Sequence, residues 1–148
     1  MSTETSNTPN YNTPLQNYSD VKNLLTDFVA ANGTTPGLAP HGVFWNNLSY
    51  NDFITGYVPG VSNPNDPKGY KILIVGDPAN SIIIQALSGT PNTPFDPNTG
   101  LIGQMPQFSP PYNATQPTQT AVINLLSAWI GAHCPNPTDT DTVTNTKG

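Results

Sequence analysis

Few side chains in this sequence can do chemistry. There are two histidines, His41 and His133, and one cysteine, Cys134. His41 falls in a Pro/Gly loop, where an imidazole is ordinarily solvated; its chemical alternatives are ligation, or proton transfer beside Asp52 or a tyrosine. His133, beside Cys134, falls in the last turn of a predicted helix, where a cation near the carbonyl end is mildly favourable, and reads as structural; Cys134 reads as a bystander thiol near the end of that helix. A metal site made of His41, His133 and Cys134 requires the two ends of the chain to converge. The single thiol excludes an internal disulfide and any multi-cysteine metal site, and leaves room only for an intermolecular bridge. The 9 acidic residues are spread thinly, and neither paired carboxylates nor a Ser/His/Asp set, P-loop or dinucleotide fingerprint occurs. Hydrolase chemistry has little to work with. No catalytic residue is assigned, and the chain reads as a non-enzyme before it reads as an enzyme.

Composition narrows the field further. The chain has 148 residues, 35% of them hydrophobic and 9% charged, with a net charge of −5. Four Lys and no Arg make no basic stripe and offer no planar phosphate ligand, which excludes nucleic-acid binding. Met1–Asn17 and Asn136–Gly148 are runs of Thr, Asn, Pro and Ser that cannot bury enough surface to offset ordering entropy, so residues 1–17 and 136–148 are expected as disordered tails around one domain at 18–135. No run is long enough to span a bilayer. Met1–Thr13 has neither a charged n-region nor an apolar h-region; as it stands this predicts a cytoplasmic protein, whereas a trimmed leader would make it periplasmic or secreted. Asn32-Gly-Thr, Asn47-Leu-Ser and Asn113-Ala-Thr match the glycosylation sequon, as chance allows in so Asn-rich a chain.

The elements that must position these residues are helices. Val21, Leu24, Leu25, Phe28 and Val29 predict a helix from Asp20 to Asn32, capped by Ser19 or Asp20 and ended by Gly33. Thr34–Asn47 reads as a loop. Ser49 caps a short helix that buries Tyr50, Phe53 and Ile54. Tyr70–Val75 is extended, and Asp77 with Pro78 at the first helical position opens a helix carrying Ile82, Ile83, Ile84 and Leu87 to Gly89. Gly89–Thr118 is a long Pro/Gly/Asn/Gln loop, a length usually reserved for function or disorder. The last helix, Thr118 to His133, carries Ala121, Val122, Leu125, Leu126, Trp129 and Ile130 on one face.

Three stretches, Tyr-Ser-Asp-Val-Lys-Asn-Leu-Leu at 18–25, Val-Gly-Asp-Pro-Ala-Asn-Ser-Ile-Ile-Ile-Gln-Ala-Leu-Ser-Gly at 75–89 and Leu-Leu-Ser-Ala-Trp-Ile-Gly-Ala at 125–132, resemble a class I c-type cytochrome domain. Gln-Met-Pro at 104–106 stands where that family carries its iron-ligating methionine. The resemblance implies an all-α fold of orthogonal helices, with the first and last crossing near a right angle. It lacks Cys-x-x-Cys-His. In one register Phe28 and Ala31 replace the thiols and Asn32 the proximal histidine; in the other, Gly37–Gly42 occupies the motif and His41 survives. The first is preferred, because in the family the motif follows the opening helix directly.

Both thioether bonds are lost in either register, so no cofactor is expected. A cavity left by a haem would cost roughly 24 cal/mol per Å³ unless refilled. Phe28, Asn32, His41, Trp45, Tyr50, Phe53, Met105 and Phe108 are the candidate lining of that space, together with Phe44, Tyr57 and Tyr112, and simple infilling is the leading expectation. Met105 is then a flexible gap-filler. Functionally, a haem-less scaffold with kept surfaces predicts a non-redox accessory module that docks on a larger enzyme or on itself, through Gly56–Gly69 and Gly89–Thr118. The alternatives are a binder of, or enzyme on, an apolar small molecule in the vacated pocket, and an electron carrier holding haem non-covalently through His41 and Met105.

Overall fold

The computed structural model describes residues 11, 13–33, 44–106 and 111–137. Helix α1 (Tyr18–Ala31) starts earlier than expected, and its cap is Asn17, whose side chain accepts the Asp20 N–H at 2.9 Å. Asp20 in turn accepts the Gln16 N–H at 2.8 Å, a reciprocal cap of the kind that satisfies the free donors of a first turn. Tyr18 explains the shift: its ring is buried, and apolar burial outweighs the small difference between Asn and Ser as caps. Phe44–Asn47, expected as part of a loop, is a helical turn, α2. Helix α3 (Tyr50–Thr55) is capped as expected by Ser49, which accepts the Asp52 N–H at 3.1 Å.

The segment after Val75 departs most from expectation. Pro78–Asn80 is a 3-10 turn, and α4 runs only over Ile82–Ser88. Asp77 makes no side-chain cap. Ser81 interrupts the helix instead: its Oγ accepts the Ile74 N–H and donates to the Asp77 carbonyl, both at 2.8 Å. A fully buried hydroxyl must find such partners. Helix α5 (Gln119–Gly131) is capped by Thr118 through the Ala121 N–H at 3.0 Å. It ends before His133, which lies past the helix in the left-handed region at φ 72° and so is not in its last turn.

The chain is all-α; among the described residues, extended backbone forms only isolated bridges, Tyr57 with Lys71 and Asn63 with Asp66. Helix α5 is the hub, in contact with α1, α4 and the 3-10 turn, while α1 also touches α2. Val122, Leu126, Trp129 and Ile130 from α5 meet Val21, Leu24, Leu25 and Phe28 from α1 in one core, each of them buried. At about 1.5–3 kcal/mol per fully buried aliphatic side chain, this contact dominates the fold. The extended stretch beneath it is tied in by Ile72 N–H to Gly56 O, Ile83 N–H to Ile72 O and Gly76 N–H to Ile130 O.

Packing reaches past the expected domain edges. Tyr11 and Leu15 pack against the core, and the Asn136 side chain accepts the Tyr18 N–H at 3.0 Å. Among the described residues no helix is long and apolar enough to cross a membrane.

Candidate functional site

Three of the candidate lining residues, Trp45, Tyr50 and Phe53, gather around Tyr18. Phe53 lies 5.0 Å from Tyr18, stacks on Phe44 at 6.1 Å and approaches Trp129 at 6.4 Å, ring centroid to centroid. Phe44 meets Trp45 edge-on at 5.4 Å. Such pairs add about 0.5–1.5 kcal/mol each beyond their burial. The polar edges of these rings are also satisfied. Tyr18 Oη donates to the Trp45 carbonyl at 2.7 Å and reaches the Leu48 carbonyl at 2.9 Å, Trp45 Nε1 donates to Thr26 Oγ1 at 3.2 Å, and Tyr50 Oη donates to the Cys134 carbonyl. Burial, then the Asp52 carboxylate, raises the Tyr18 phenol well above its ordinary range. Ring follows ring here, with Phe53 wholly out of solvent.

Phe28, Asn32 and Met105 belong to a different arrangement centred on Gln119, the first residue of α5. Gln119 is fully buried, and its amide is fully used. Nε2 donates to the Leu87 carbonyl at 2.6 Å and to the Met105 carbonyl at 2.9 Å, while Oε1 accepts the Tyr112 N–H at 2.8 Å. Its own N–H donates to the Tyr112 carbonyl at 2.7 Å. Gln104 Nε2 reaches the same Leu87 carbonyl at 2.8 Å, and Met105 N–H donates to Ala86 O at 2.7 Å. The place of the Gln104 side chain suits Gly89 beyond the end of α4, where φ is +60° and a Cβ would stand 2.8 Å from the Gln104 amide carbon. Tyr112, held by Gln119, meets the Phe28 ring edge-on at 6.3 Å. Asn32 Oδ1 accepts from Thr115 Oγ1 at 2.9 Å, so the end of α1 is tied to the same segment.

The two loops expected as contact surfaces are built by their own side chains. In the first, Asn63 Nδ2 donates to the Gly69 carbonyl at 3.2 Å and Asp66 Oδ1 accepts the Lys68 N–H at 2.9 Å. The loop curves around an open hollow of about 630 Å³ lined by residues 57–63 and 66–69. In the second, Asp96 accepts the Asn98 N–H at 2.8 Å and the Asn92 N–H at 3.1 Å, and these bonds, Asn98 first, hold its carboxyl below the usual range. Phe95 is buried against Tyr70 rather than displayed, whereas Leu101 is 90% exposed at the loop's surface.

The eight candidate lining residues therefore divide. Trp45, Tyr50 and Phe53 come together, Phe28, Asn32 and Met105 join through Tyr112, Thr115 and Gln119, and His41 and Phe108 lie outside the described residues. None of the eight lines the hollow at residues 57–69. The residues at the family's attachment positions do not fit a covalently held haem: Phe28 is packed in the core against Tyr112, Ala31 has no thiol, and the Asn32 amide is engaged by the Phe28 carbonyl and Thr115. Cys134 lies just past α5 and is buried, and burial pushes its thiol up to about 11, which disfavours the thiolate needed for bridging. Among the described residues no group of three or more His, Cys, Asp and Glu side chains could hold a metal.

Gln119, Ser81 and Asp96 were not singled out by sequence reasoning. Each is a polar residue at the start of an element or in a turn, where such residues are common. Only their burial distinguishes them, and burial of a lone polar residue leaves no trace in hydrophobic spacing. Comparison with protein-family models, curated proteins and solved structures gives no match.

Proposed function

We propose that this chain is a non-redox binding module, built on a cytochrome c-like arrangement of helices, that docks through its two long loops on a larger protein such as an enzyme. The observation that carries this reading is the contrast between a filled interior and pre-shaped loops. Phe28 and Phe53, candidates for lining a vacated pocket, are 1% and 0% exposed, so the described interior offers them as packing rather than as walls. The loops at 56–69 and 89–106 are held by side-chain bonds from Asn63, Asp66, Asp96 and Gln104. Loops ordered before binding lose less entropy on docking. Contact of α1 with α5, and the Met105 segment bonded to the first residue of α5, support the cytochrome c-like arrangement.

Photo-crosslinking tests the reading in cells of the natural source. A crosslinkable residue at Leu101 or Ser62 is expected to trap one defined partner, and one at Asn124, exposed on α5, is expected to trap none. Equal trapping from all positions, or none from the loops, overturns it. A haem titration separates the electron-carrier alternative: the proposal expects no Soret band from the mixed protein beyond that of free haem.

A further inference from the structure

We infer that the pair Asn32-Gly33 is a self-modification site which the end of α1 holds closed. It is the chain's one Asn-Gly sequence, the pair in which a following residue without a Cβ leaves the backbone nitrogen unhindered, and around Gly33 there is open space. The chemistry is internal cyclisation. The Gly33 nitrogen attacks Asn32 Cγ and forms an N–Cγ bond. The Cγ–Nδ2 bond then breaks, and Nδ2 leaves as ammonia, taking the proton that the Gly33 nitrogen gave up. Water opens the cyclic imide at either carbonyl, giving aspartate or isoaspartate. No oxidant or reductant is involved.

Several features of the folded cap oppose ring closure. Asn32 sits at φ −103° and ψ 6°. At that ψ the Gly33 nitrogen nearly eclipses the Asn32 nitrogen, so Cβ stands about a third of a turn away by tetrahedral geometry. A five-membered ring needs Cβ and the Gly33 nitrogen close to eclipsed, so the residue must rotate out of its cap before reacting. The Gly33 N–H is engaged with the Ala30 carbonyl at 3.3 Å. The Asn32 side chain is held at both ends, Nδ2 donating to the Phe28 carbonyl at 2.9 Å and Oδ1 accepting from Thr115 Oγ1 at 2.9 Å. Release of these bonds frees rotation, nucleophile and electrophile together. The product cannot simply return to the cap: a carboxylate has no hydrogen for the Phe28 carbonyl, and it places negative charge at the C-terminal end of α1, the unfavourable end of the dipole. Modification thus loosens the contact between α1 and the 111–117 segment.

The test is an incubation of the full chain near neutral pH, with peptide mass mapping of amide loss and isoaspartate. Native protein is expected to react at Asn32 at least ~10-fold more slowly than the same chain unfolded in urea, since reaction must await local opening. Thr115→Val is expected to raise the native rate several-fold and leave the urea rate unchanged. Equal native and unfolded rates, a Thr115→Val variant that folds yet reacts at the wild-type native rate, or a different asparagine reacting first in urea would each overturn the inference. Should Thr115→Val fail to fold, the wild-type comparison decides alone.

Discussion

Around Phe53 the interior is built ring on ring, from Tyr18, Phe44, Trp45 and Trp129, and each contact is replaceable by bulk of similar shape. Around Gln119 it is built on one amide that joins the end of α4, the Met105 turn and the Tyr112 segment. The two regions share α5, one at its C-terminal half and one at its first residue. They differ in how they fail. Dispersion and burial are graded, so an apolar core loses stability in proportion to the volume removed. A buried amide is close to all-or-none, because removing it takes a bond from several backbone groups at once. One end resists conservative change and the other does not.

The largest expected effect breaks the ring-built end. Phe53→Ala removes a fully buried aromatic and should lower unfolding free energy by about 3–5 kcal/mol, read from urea melts, whereas Phe53→Leu should cost far less. Gln119→Leu comes next. It keeps volume but removes the Gln119 acceptor of the Tyr112 N–H and a donor to each of the Leu87 and Met105 carbonyls, for about 1–3 kcal/mol. Its distinguishing sign is local: amide exchange at Tyr112 and Met105 should accelerate while that of Phe53 is unchanged. If exchange rises evenly across both ends, the division into two regions is wrong.

Smaller effects sharpen the picture. Tyr18→Phe deletes the hydroxyl bonded to the Trp45 and Leu48 carbonyls, and about 0.5–1.5 kcal/mol is expected at neutral pH. The phenol is raised by folding from an ordinary value of 10.0, so the fold favours its protonated form. That contribution is whole below pH 10 and fades as pH climbs above it. Cys134 behaves alike between its ordinary 9.0 and about 11. Wild-type melting temperature should therefore decline from pH 9 upward, and Tyr18→Phe should flatten the limb above pH 10. The smallest effect belongs to Asp96, whose carboxyl is lowered by the Asn98 and Asn92 amides. Its contribution is present above pH 3.8 and is lost as pH falls through the lowered value. Asp96→Asn should reduce the acid sensitivity of the second loop, seen by NMR shifts at Asn98.

Much of the helical framework could be read directly. The apolar spacing in α1 and α5 follows one buried face each, and Ser49, Gly33 and Thr118 mark ends that the structure uses. What escaped was decided by contacts across the chain. Asp77-Pro78 carries a strong local start signal, yet Ser81 is drawn into the interior by Ile74 and restarts the helix there. Tyr18 enters α1 because its ring has Phe53 to pack on. Of the candidate site, the aromatic residues were visible as bulk, but their separation into two groups depends on Gln119 and Tyr112, which look like ordinary loop and helix-start residues. A haem scaffold implies one shared pocket, and it is the polar bonding at Gln119 that divides the lining.

One small contact has a practical outcome. The Asn136 side chain receives the Tyr18 N–H, and Tyr50 and Trp129 grip the Cys134 and Pro135 carbonyls, so the strand of chain leaving α5 is fastened beside the start of α1. The start of α1 and the exit from α5 are thus neighbours. A short linker could join them and new ends be opened elsewhere by circular permutation, at the expense of the Tyr11 and Leu15 packing that precedes α1.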